Sequence, residues 1–462
     1  MLKLVTKKSD VDLLRGSVLK ALIVYSIPLI ITNVIQLLFH ATDVAVLGIM
    51  AGDHEVAAVG ACGSLISLLV SLFNGLATGT NVLVAKRVGA ADRDGARRAV
   101  GTSLVVALLS GFILMVVALV GARYFLILMN CQAEVLDSAT AYMRIYFCGM
   151  PILMLYNFVA GILRSVGDST RPMMYMLISG CLNVCLNVLF VGVLRLTVAG
   201  VAIATVLSNF VALLLAFRAL VSDKDFCKLE KQNLVIRKKE FADILRVGIP
   251  SSLCGIFFYI ANVIVSTAVN SMGTEAMTAN AIAGQYDSFI YVIGSAIAAS
   301  CMAFVGQNMG ARKLDRVKSV IRVSVTVTTV ACTVVGLAFV LLSHPLCSFV
   351  TSDAGVIAIA QKRMLILCMT YVTSGIMEIL SLSLSSMGWH RSTMYVGFFC
   401  GLGARVVWAK GIWPALGTLV TLYISFPVSN LLAIGVYILI FRHAMRVLEA
   451  RYAYRKQVQP QS

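Results

Sequence analysis

Charged residues are scarce in this chain of 462 residues: they make up 13% of it, whereas hydrophobic residues make up 59% and the mean hydropathy is +0.91. A period-two alternation of apolar and polar residues is also missing, which argues against a membrane β-barrel. Apolar stretches of more than about 18 residues recur along the chain, each long enough to cross a bilayer as a helix. The sequence therefore predicts an all-helical integral membrane protein.

Clustered metal ligands and paired catalytic groups are absent from the sequence as well. The 12 cysteines lie mostly inside the apolar stretches and the 5 histidines are scattered away from cysteine pairs, whereas metal sites need Cys and His at close spacing. We interpret the cysteines as small apolar packing residues. No His–Asp set or pair of carboxylates stands near a predicted membrane face, and most loops are short, so neither a membrane-embedded enzyme nor an organic cofactor is expected.

Twelve membrane-spanning helices are predicted from the apolar stretches. The predicted spans are residues 17–48, 57–86, 97–122, 139–164, 172–194, 198–221, 241–271, 277–306, 314–342, 356–387, 392–409 and 416–441. The first span has no small-residue cleavage site and is too long for the core of a signal peptide, so it is expected to be retained.

The longest polar stretch between two spans, residues 222–240, divides the chain into two halves of six spans each. It is interpreted as a cytoplasmic linker between an N-terminal six-helix lobe (1–221) and a C-terminal six-helix lobe (241–446), which is followed by a basic tail (447–462). The expected fold is an all-α membrane protein with twelve transmembrane helices in two pseudo-symmetric lobes.

Basic residues outnumber acidic ones, 38 to 21, which gives a net charge of +17. Most of them lie before the first span, where Lys3, Lys7 and Lys8 stand, in alternate loops and in the tail, all on one side of the membrane if twelve spans alternate. The opposite loops carry acids such as Glu134 and Asp353. This positive-inside bias places both termini in the cytoplasm. It explains the charge by topology and lipid contact, without nucleic acid as a partner.

The two halves repeat each other in sequence. Pro250 follows Pro28 by 222 positions, and Gly310, which begins a Gly-Ala pair, follows Gly89 of a similar pair by 221. A two-fold repeat in a membrane chain indicates two lobes around a central site. Because each copy has an even number of spans, both keep the same orientation, and the lobes are expected to be related by an axis along the membrane normal.

The chain resembles the MATE (multidrug and toxic compound extrusion) family over nearly its whole length. The matching features are Pro28, Gln36, Asp43 and Gly48 in the first span, Val88-Gly89-Ala90 after the second, Leu163 to Pro172 after the fourth, Asn183 and Asn187 in the fifth, and Gly200 to Thr205 at the start of the sixth. The acid in the first span and the asparagine pair are similar to the bacterial DinF-like branch. The resemblance implies a secondary antiporter of the bacterial inner membrane that exports amphipathic, cationic organic compounds by alternating access.

Asp43 is the strongest candidate for chemistry because it lies deep in the first span among apolar neighbours. Inserting a charged residue at the middle of a membrane helix costs about 2.5–3.5 kcal/mol, so such residues face a cavity or a partner. A buried carboxyl group can bind a proton near neutral pH, or hold Na⁺ when oxygen ligands surround it. The alternative is that Asp43 caps the helix end at the membrane interface, since the span is long enough to overhang the bilayer.

By resemblance, Asn183, Asn187 and Thr205 form a cation-coupling site together with Asp43. The two asparagines are one turn apart and therefore share a face of the fifth span. Relatives of the DinF-like branch often carry a second carboxylate where this chain has Asn187. With one fixed charge instead of two, H⁺ is favoured over Na⁺ as the coupling ion. The alternative for the asparagine pair is hydrogen bonding between helices as part of packing.

A substrate cavity is expected to include Gln36, Tyr142 and Asn157 in the first half of the chain and Asp287 and Glu378 in the second. The family resemblance suggests drug contact for the first three, although each also fits a packing role. Glu378 stands at the repeat position of Asn157, and the part of the seventh span from Pro250 to Ser271 holds no acid that could pair with it. Asp287 is alternatively a residue at a helix end near the outer surface.

Three further residues are expected to act in structure or gating. Arg405 lies deep in the eleventh span and needs a partner there, and a structural ion pair with Glu378 is one hypothesis. Pro28 and Pro250 can bend the first and seventh spans because proline removes a backbone hydrogen bond inside a helix.

The sequence thus predicts a monomeric, cation-coupled antiporter whose partners are small organic substrates and membrane lipids. Protonation of Asp43 is expected to bias the outward-open against the inward-open state. The alternative function is that of a flippase for a lipid-linked oligosaccharide or another lipid-linked precursor, with a related two-lobe fold. A flippase would favour a cationic cavity for pyrophosphate.

Overall fold

A computed structural model of the protein describes residues 11–129, 131–223 and 225–458. These residues are helical almost throughout, and no β-strand occurs among them. Some positions used in the sequence predictions lie outside the described residues: Lys3, Lys7, Lys8, Lys224 of the linker and residues 459–462 of the tail.

The first half of the described chain contains seven α-helices. They are α1 (Val18–Met50), α2 (Asp53–Gly89), α3 (Arg93–Leu128), α4 (Leu136–Cys148), α5 (Met150–Ser165), α6 (Thr170–Asn187) and α7 (Thr197–Val221). Helices α4 and α5 form one span with a bend of 48°, where Pro151 occupies the first turn of α5 and needs no hydrogen-bond partner for its nitrogen. Helix α6 continues as a π-helix over Val188–Val193.

The second half of the described chain contains nine α-helices. They are α8 (Lys238–Asn270), α9 (Thr274–Gly310), α10 (Leu314–Leu341), α11 (Ser343–Ser348), α12 (Ala354–Met387), α13 (His390–Val396), α14 (Ala404–Val407), α15 (Trp413–Leu416) and α16 (Leu419–Val458). Two π-helical segments, Gly397–Gly403 and Trp408–Ile412, join α13, α14 and α15 into one run. Helix α16 continues well beyond the predicted span end at residue 441, so most of the expected tail is helical.

Ten helices of the described chain are long and apolar enough to cross a membrane, and the bent pair α4–α5 makes an eleventh span. The run from His390 to Leu416 occupies the place of the eleventh predicted span. Each predicted span therefore has a helical counterpart, and the prediction of an all-α membrane protein is confirmed.

The sequence repeat reappears in the backbone. Three turns between helices contain a residue with positive φ, and each has a counterpart 221 positions later. The pairs are Gly52 (94°) and Gly273 (107°), Ala91 (55°) and Arg312 (58°), and Gly167 (97°) and Gly388 (104°). Glycine occupies four of these six positions because it adopts left-handed backbone conformations without a steric cost. The turn at Ala91 and Arg312 is kept although both residues carry a side chain.

The described chain forms two compact units, and their boundaries fall inside two helices. The N unit comprises Ile27–Ser252, and the C unit comprises Leu13–Ser26 and the chain from Leu253 onward. The first nine residues of α1 (18–26) and the last eighteen of α8 (253–270) therefore belong to a different unit from the rest of the same helix. The lobes expected from the sequence divide at the linker between α7 and α8, and those boundaries stay a prediction.

Both crossing points lie beside a proline. Pro28 is two residues after Ser26 in α1, and Pro250 is two residues before Ser252 in α8. The carbonyl oxygen of Pro28 accepts a hydrogen bond from the Thr32 hydroxyl at 2.7 Å. Since proline weakens the helical hydrogen-bond ladder, each helix has its preferred bending point where it passes between units.

Candidate functional site

The residues of the predicted coupling site meet at a close contact between α1 and α6 in the N unit. A Cβ built on Gly180 would lie 1.2 Å from Cζ of Phe39, so this position has room only for glycine. The predicted topology sends both helices in the same direction through the membrane. Residues one turn beyond the contact therefore also face each other. They are Asp43 on α1 and Asn183 on α6.

Asp43 is hydrogen-bonded to the asparagine pair. The side-chain amide of Asn187 donates to Oδ1 of Asp43 at 2.5 Å and to Oδ1 of Asn183 at 3.2 Å. The amide of Asn183 donates to the hydroxyl of Thr205 on α7 at 3.4 Å. The structure thus brings together all four residues of the predicted site.

The cluster is buried inside its helices and does not lie at a helix end. Asp43 is 7% exposed and Asn187 is fully buried. Helix α1 continues for seven residues beyond Asp43, to Met50, so Asp43 does not cap it. The hydrogen bond from Asn187 to Asp43 joins α6 to α1, so a packing role for the asparagines stays open beside the coupling role.

The carboxylate of Asp43 has no basic partner. Among the described residues it takes part in no ion pair, and its charge is met by neutral amide and hydroxyl groups. The side-chain oxygen of Asn187 is buried and has no hydrogen-bond partner. With the oxygens of Asp43, Asn183 and Thr205 it gives an all-oxygen set, which suits a proton on the carboxylate or a small hard cation.

Metal ligands of other kinds are not grouped in the described part of the chain. No cluster of three or more His, Cys, Asp or Glu side chains that could hold a metal ion occurs there. The arrangement around Asp43 is therefore a single-carboxylate site, unlike the multi-carboxylate or thiolate sites of resident metal ions.

Two tyrosines of α4 lie close to the acid. Tyr142 is buried, and its ring stacks on that of Tyr146 with 6.0 Å between centroids and 26° between planes. Both rings belong to a hydrophobic cluster with Val46 and Leu47, which follow Asp43 on α1. Tyr142 is a predicted cavity residue, whereas Tyr146 was missed, although its spacing of four residues places it on the same helix face.

The other predicted cavity residues of the N unit lie apart from this hydrogen-bond network. Gln36 is exposed and Asn157 is half-buried. No hydrogen bond of the described residues joins either of them to Asp43. Their assignment to a substrate cavity stays a prediction.

Asp287 lies in a buried ion pair of the C unit. Helices α9 and α12 approach closely at two glycines, since a Cβ on Gly294 would lie 3.4 Å from Cα of Gly375. Before this contact, Nη1 of Arg363 on α12 lies 2.6 Å from Oδ2 of Asp287 on α9, and the acid is 1% exposed. The thiol of Cys368 donates to Oδ1 at 3.7 Å. Asp287 is therefore neither an unpaired cavity acid nor a surface residue at a helix end.

The hypothesised ion pair between Glu378 and Arg405 is not formed. Arg405 is 3% exposed, its Nε donates to the Ser429 hydroxyl at 3.1 Å, and its guanidinium lies 4.3 Å from the centroid of the Phe426 ring. Glu378 is half-buried and, within the described residues, makes neither an ion pair nor a hydrogen bond.

Comparison with known families gives two matches in the chain. The family model described as MatE matches residues 28–189 and, separately, residues 250–409. The matches begin at Pro28 and Pro250, the two prolines that open the copies of the predicted repeat. The internal duplication is thereby confirmed.

Relatives cover most of the chain. "Probable multidrug resistance protein YoeA" of Bacillus subtilis (strain 168) is 28% identical over 446 residues, which are 94% of this chain and 96% of the relative. "Multidrug export protein MepA" of Staphylococcus saprophyticus is 21% identical over 388 residues, which are 84% of this chain and 86% of the relative.

A solved structure shares the fold. It is described as the outward-facing conformation of a multidrug resistance MATE family transporter of the MOP superfamily. It matches with a TM-score of 0.87 at 24% identity and covers 96% of this chain and 100% of its own. The likeness confirms the predicted architecture of twelve helices in two lobes.

Proposed function

Because the chain belongs to the MatE family, whose members are membrane transporters and not enzymes, we propose that it exports amphipathic, cationic organic compounds from the cytoplasm in exchange for protons. The relatives named as multidrug resistance and export proteins support small organic substrates. Transporters of this family work with a coupling ion and without an organic cofactor. The flippase alternative is not favoured by these relatives.

The protein spans the membrane many times. We place it in the plasma membrane of a bacterium as a monomer, with both termini in the cytoplasm. The bacterial relatives and the basic loops on one side support this orientation. Export from the cytoplasm against inward proton movement fits this location.

The observation that carries the proposal is the buried Asp43 carboxylate without a basic partner. When ionised, it accepts a hydrogen bond from Asn187. When protonated, its hydroxyl becomes a donor, and the unpartnered side-chain oxygen of Asn187 is a nearby acceptor. Proton binding would thus reverse the direction of hydrogen bonding between α1 and α6.

This reversal gives the proton a way to act on conformation. Asp43 follows the Phe39–Gly180 contact by one turn, and the same helix bends most easily at Pro28. A proton shifts the conformational equilibrium only if it binds one state more tightly than the other. The different hydrogen bonds of the two protonation states supply that difference. Alternating access of the central cavity then follows from the shift.

We further propose that the cationic group of a substrate binds near Glu378 in the C unit. This acid has no partner within the described residues, and Tyr291, on the helix α9 that packs against α12, stacks on Phe258 with 6.0 Å between centroids and 14° between planes. Tyr371 lies edge-on to Tyr291 at 6.3 Å. Aromatic faces and a carboxylate together attract organic cations.

Sodium is the second candidate for the coupling ion. The all-oxygen set around Asp43, with one unpartnered amide oxygen, is the observation that favours it. The single carboxylate gives less attraction for a bare cation than two would, which is why H⁺ remains the first choice.

Transport in proteoliposomes tests the proposal. With an imposed pH gradient and no Na⁺, wild type is expected to move ethidium, whereas Asp43→Asn is expected to show only background movement. Asp94→Asn is the matched control, since Asp94 is an exposed acid at the cytoplasmic start of α3. Equal gradient-driven rates for wild type and Asp43→Asn would refute coupling at Asp43. A rate that follows a Na⁺ gradient alone would assign the coupling to sodium.

A further inference from the structure

Arg405 is a buried cation of the C unit whose charge is not neutralised. It is 3% exposed and stands in α14, between two π-helical segments. Its Nε donates to Ser429, and its guanidinium stacks over the ring of Phe426. Nη1 is buried and has no hydrogen-bond partner. No carboxylate of the described residues lies within ion-pairing distance of it.

The neighbouring Arg363 shows what a neutralised arginine looks like in the same unit. Its guanidinium is paired with Asp287 at 2.6 Å. Arg405 has only a hydroxyl and an aromatic face in place of an acid. A charged residue buried inside a membrane protein is costly unless it has a counter-charge. A counter-anion from outside the chain would remove this cost.

Nη1 of Arg405 is the donor left for such an anion. The Ser429 hydroxyl accepts from Nε of Arg405 at 3.1 Å and donates its own hydrogen to the carbonyl oxygen of Phe426 at 3.0 Å. Nη1 is buried and has no hydrogen-bond partner within the described residues. A guanidinium Nη–H is a donor suited to a small anion or a carboxylate.

We propose that Arg405 binds a monovalent anionic group, either free chloride or a carboxylate on a transported compound. The site uses Nη1 of Arg405 and lies wholly within the C unit. It is separate from the Asp43 cluster and holds a charge of the opposite sign. The inference does not depend on which ion drives transport, and it is tested by binding instead of transport.

Thermal unfolding of the purified full-length protein in detergent tests the proposal. At constant ionic strength, replacing gluconate by chloride is expected to raise the Tm of wild type saturably, because a ligand that binds only the folded state stabilises it. Benzoate in place of chloride reports whether an organic carboxylate is accepted. A shift with chloride alone assigns the site to a free anion, and a shift with benzoate that chloride competes with assigns it to a carboxylate.

The variants separate anion binding from a structural role. Arg405→Met is expected to lose the anion-dependent shift and, in gluconate, to melt at or above the wild-type Tm. Arg391→Gln, a change at an exposed arginine, is expected to keep the full shift. Arg405→Lys keeps the positive charge but removes Nη1, and it is expected to weaken chloride binding about tenfold, through loss of about 1.4 kcal/mol. It serves as the test if Arg405→Met does not fold.

Two results would overturn the proposal. One is a wild-type Tm that responds equally to chloride, benzoate and gluconate. The other is a Tm that falls in Arg405→Met by the same amount with and without chloride. In that case Arg405 acts only through its hydrogen bond and its ring contact.

Discussion

The N unit and the C unit repeat the same backbone, but the unpaired charges that they bury, Asp43 and Arg405, have opposite signs. The N unit encloses the carboxylate of Asp43 among amides and hydroxyls. The C unit encloses two guanidinium groups, of which Arg363 is paired with Asp287 and Arg405 is not. The turns at 221-residue spacing show that duplication preserved the scaffold. Divergence of the buried charges indicates that the two units have taken different chemical tasks.

Replacing a buried aspartate by asparagine should affect stability differently in the two units, and this difference is the largest effect expected. Asp287→Asn leaves Arg363 buried without its counter-charge, which is expected to destabilise the protein by about 3–5 kcal/mol. Asp43→Asn removes an unpaired buried charge and is expected to leave stability unchanged or to raise it. Thermal unfolding in detergent measures both.

A compensating pair checks the cause of that loss. The double variant Asp287→Leu with Arg363→Met is expected to recover most of the stability, since neither charge remains. Asp137→Asn breaks the exposed pair with Arg123 and is expected to change the Tm little. A double variant as unstable as Asp287→Asn would show that the ion pair itself is not the reason.

Disrupting the contact between Phe39 and Gly180 should have the next largest effect on stability and transport. Gly180→Ala places a Cβ within the Phe39 ring, so the ring must turn aside or α1 must move away from α6. We expect a loss of about 1–3 kcal/mol in stability and loss of proton-driven transport, because Asp43 separates from Asn187. Gly60→Ala, at an exposed position with open space around it, is the control for both measurements. Normal transport by Gly180→Ala would mean that the contact does not position the site.

Replacing Asn187 should change the relative affinity of the site for Na⁺ and H⁺. Asn187→Asp adds the second carboxylate that similar proteins of the DinF-like branch often carry. The added charge is expected to strengthen Na⁺ binding on the order of tenfold, or about 1.4 kcal/mol. Dye transport driven by a Na⁺ gradient measures the change. Asn262→Asp is the control, since the amide of Asn262 bonds only to its own helix, and a gain there too would point to a general charge effect.

The smallest expected effect concerns the turns that begin α3 and α10. Asp92 caps α3 by accepting from the backbone of Gly95 at 2.8 Å, whereas its counterpart Lys313 gives α10 no side-chain cap. Asp92→Ala is expected to cost about 0.5–1 kcal/mol and Lys313→Ala less. Chemical denaturation of the detergent-solubilised protein can compare them, and equal losses would contradict the assignment of the cap.

The cap should also respond to pH. The hydrogen bond from Gly95 and the nearby Arg87 lower the pKa of Asp92 in the folded state. Its contribution is therefore fully present above the unfolded-state pKa of about 3.9 and is lost as the pH falls through the lower folded-state value. Unfolding of wild type and Asp92→Ala should converge as the pH is lowered through that range.

Much of the architecture could be predicted because hydropathy and repeat spacing are visible directly in the sequence. Twelve apolar stretches were visible as spans, and the prolines and glycines marked the repeat. The cluster of Asp43, Asn183, Asn187 and Thr205 was also predicted, since the resemblance supplied contacts between helices that the residues alone do not encode. The division of α1 near Pro28 and of α8 near Pro250 between the two units was not predicted, because it depends on packing between distant segments.

The C unit was predicted less well for a physical reason. Arg363 is a basic residue inside a predicted span, which signals a need for an acidic partner. The sequence contains two candidate partners, Asp287 and Glu378, and does not choose between them. Which acid meets which arginine depends on the close contact of α9 and α12 at Gly294 and Gly375. The pairing of Arg405 with Glu378 failed because Ser429 and Phe426 occupy the surroundings of Arg405 instead.

Proton release on substrate binding tests the central claim most directly. Purified protein in weakly buffered detergent, mixed with ethidium at a pH where the site holds a proton, should release about one proton per bound molecule if binding and protonation of Asp43 compete. A pH-indicator dye measures the release, and fluorescence of ethidium measures binding. Asp43→Asn is predicted to bind ethidium and release no protons. Equal release by wild type and Asp43→Asn would contradict the assignment of Asp43 as the coupling residue.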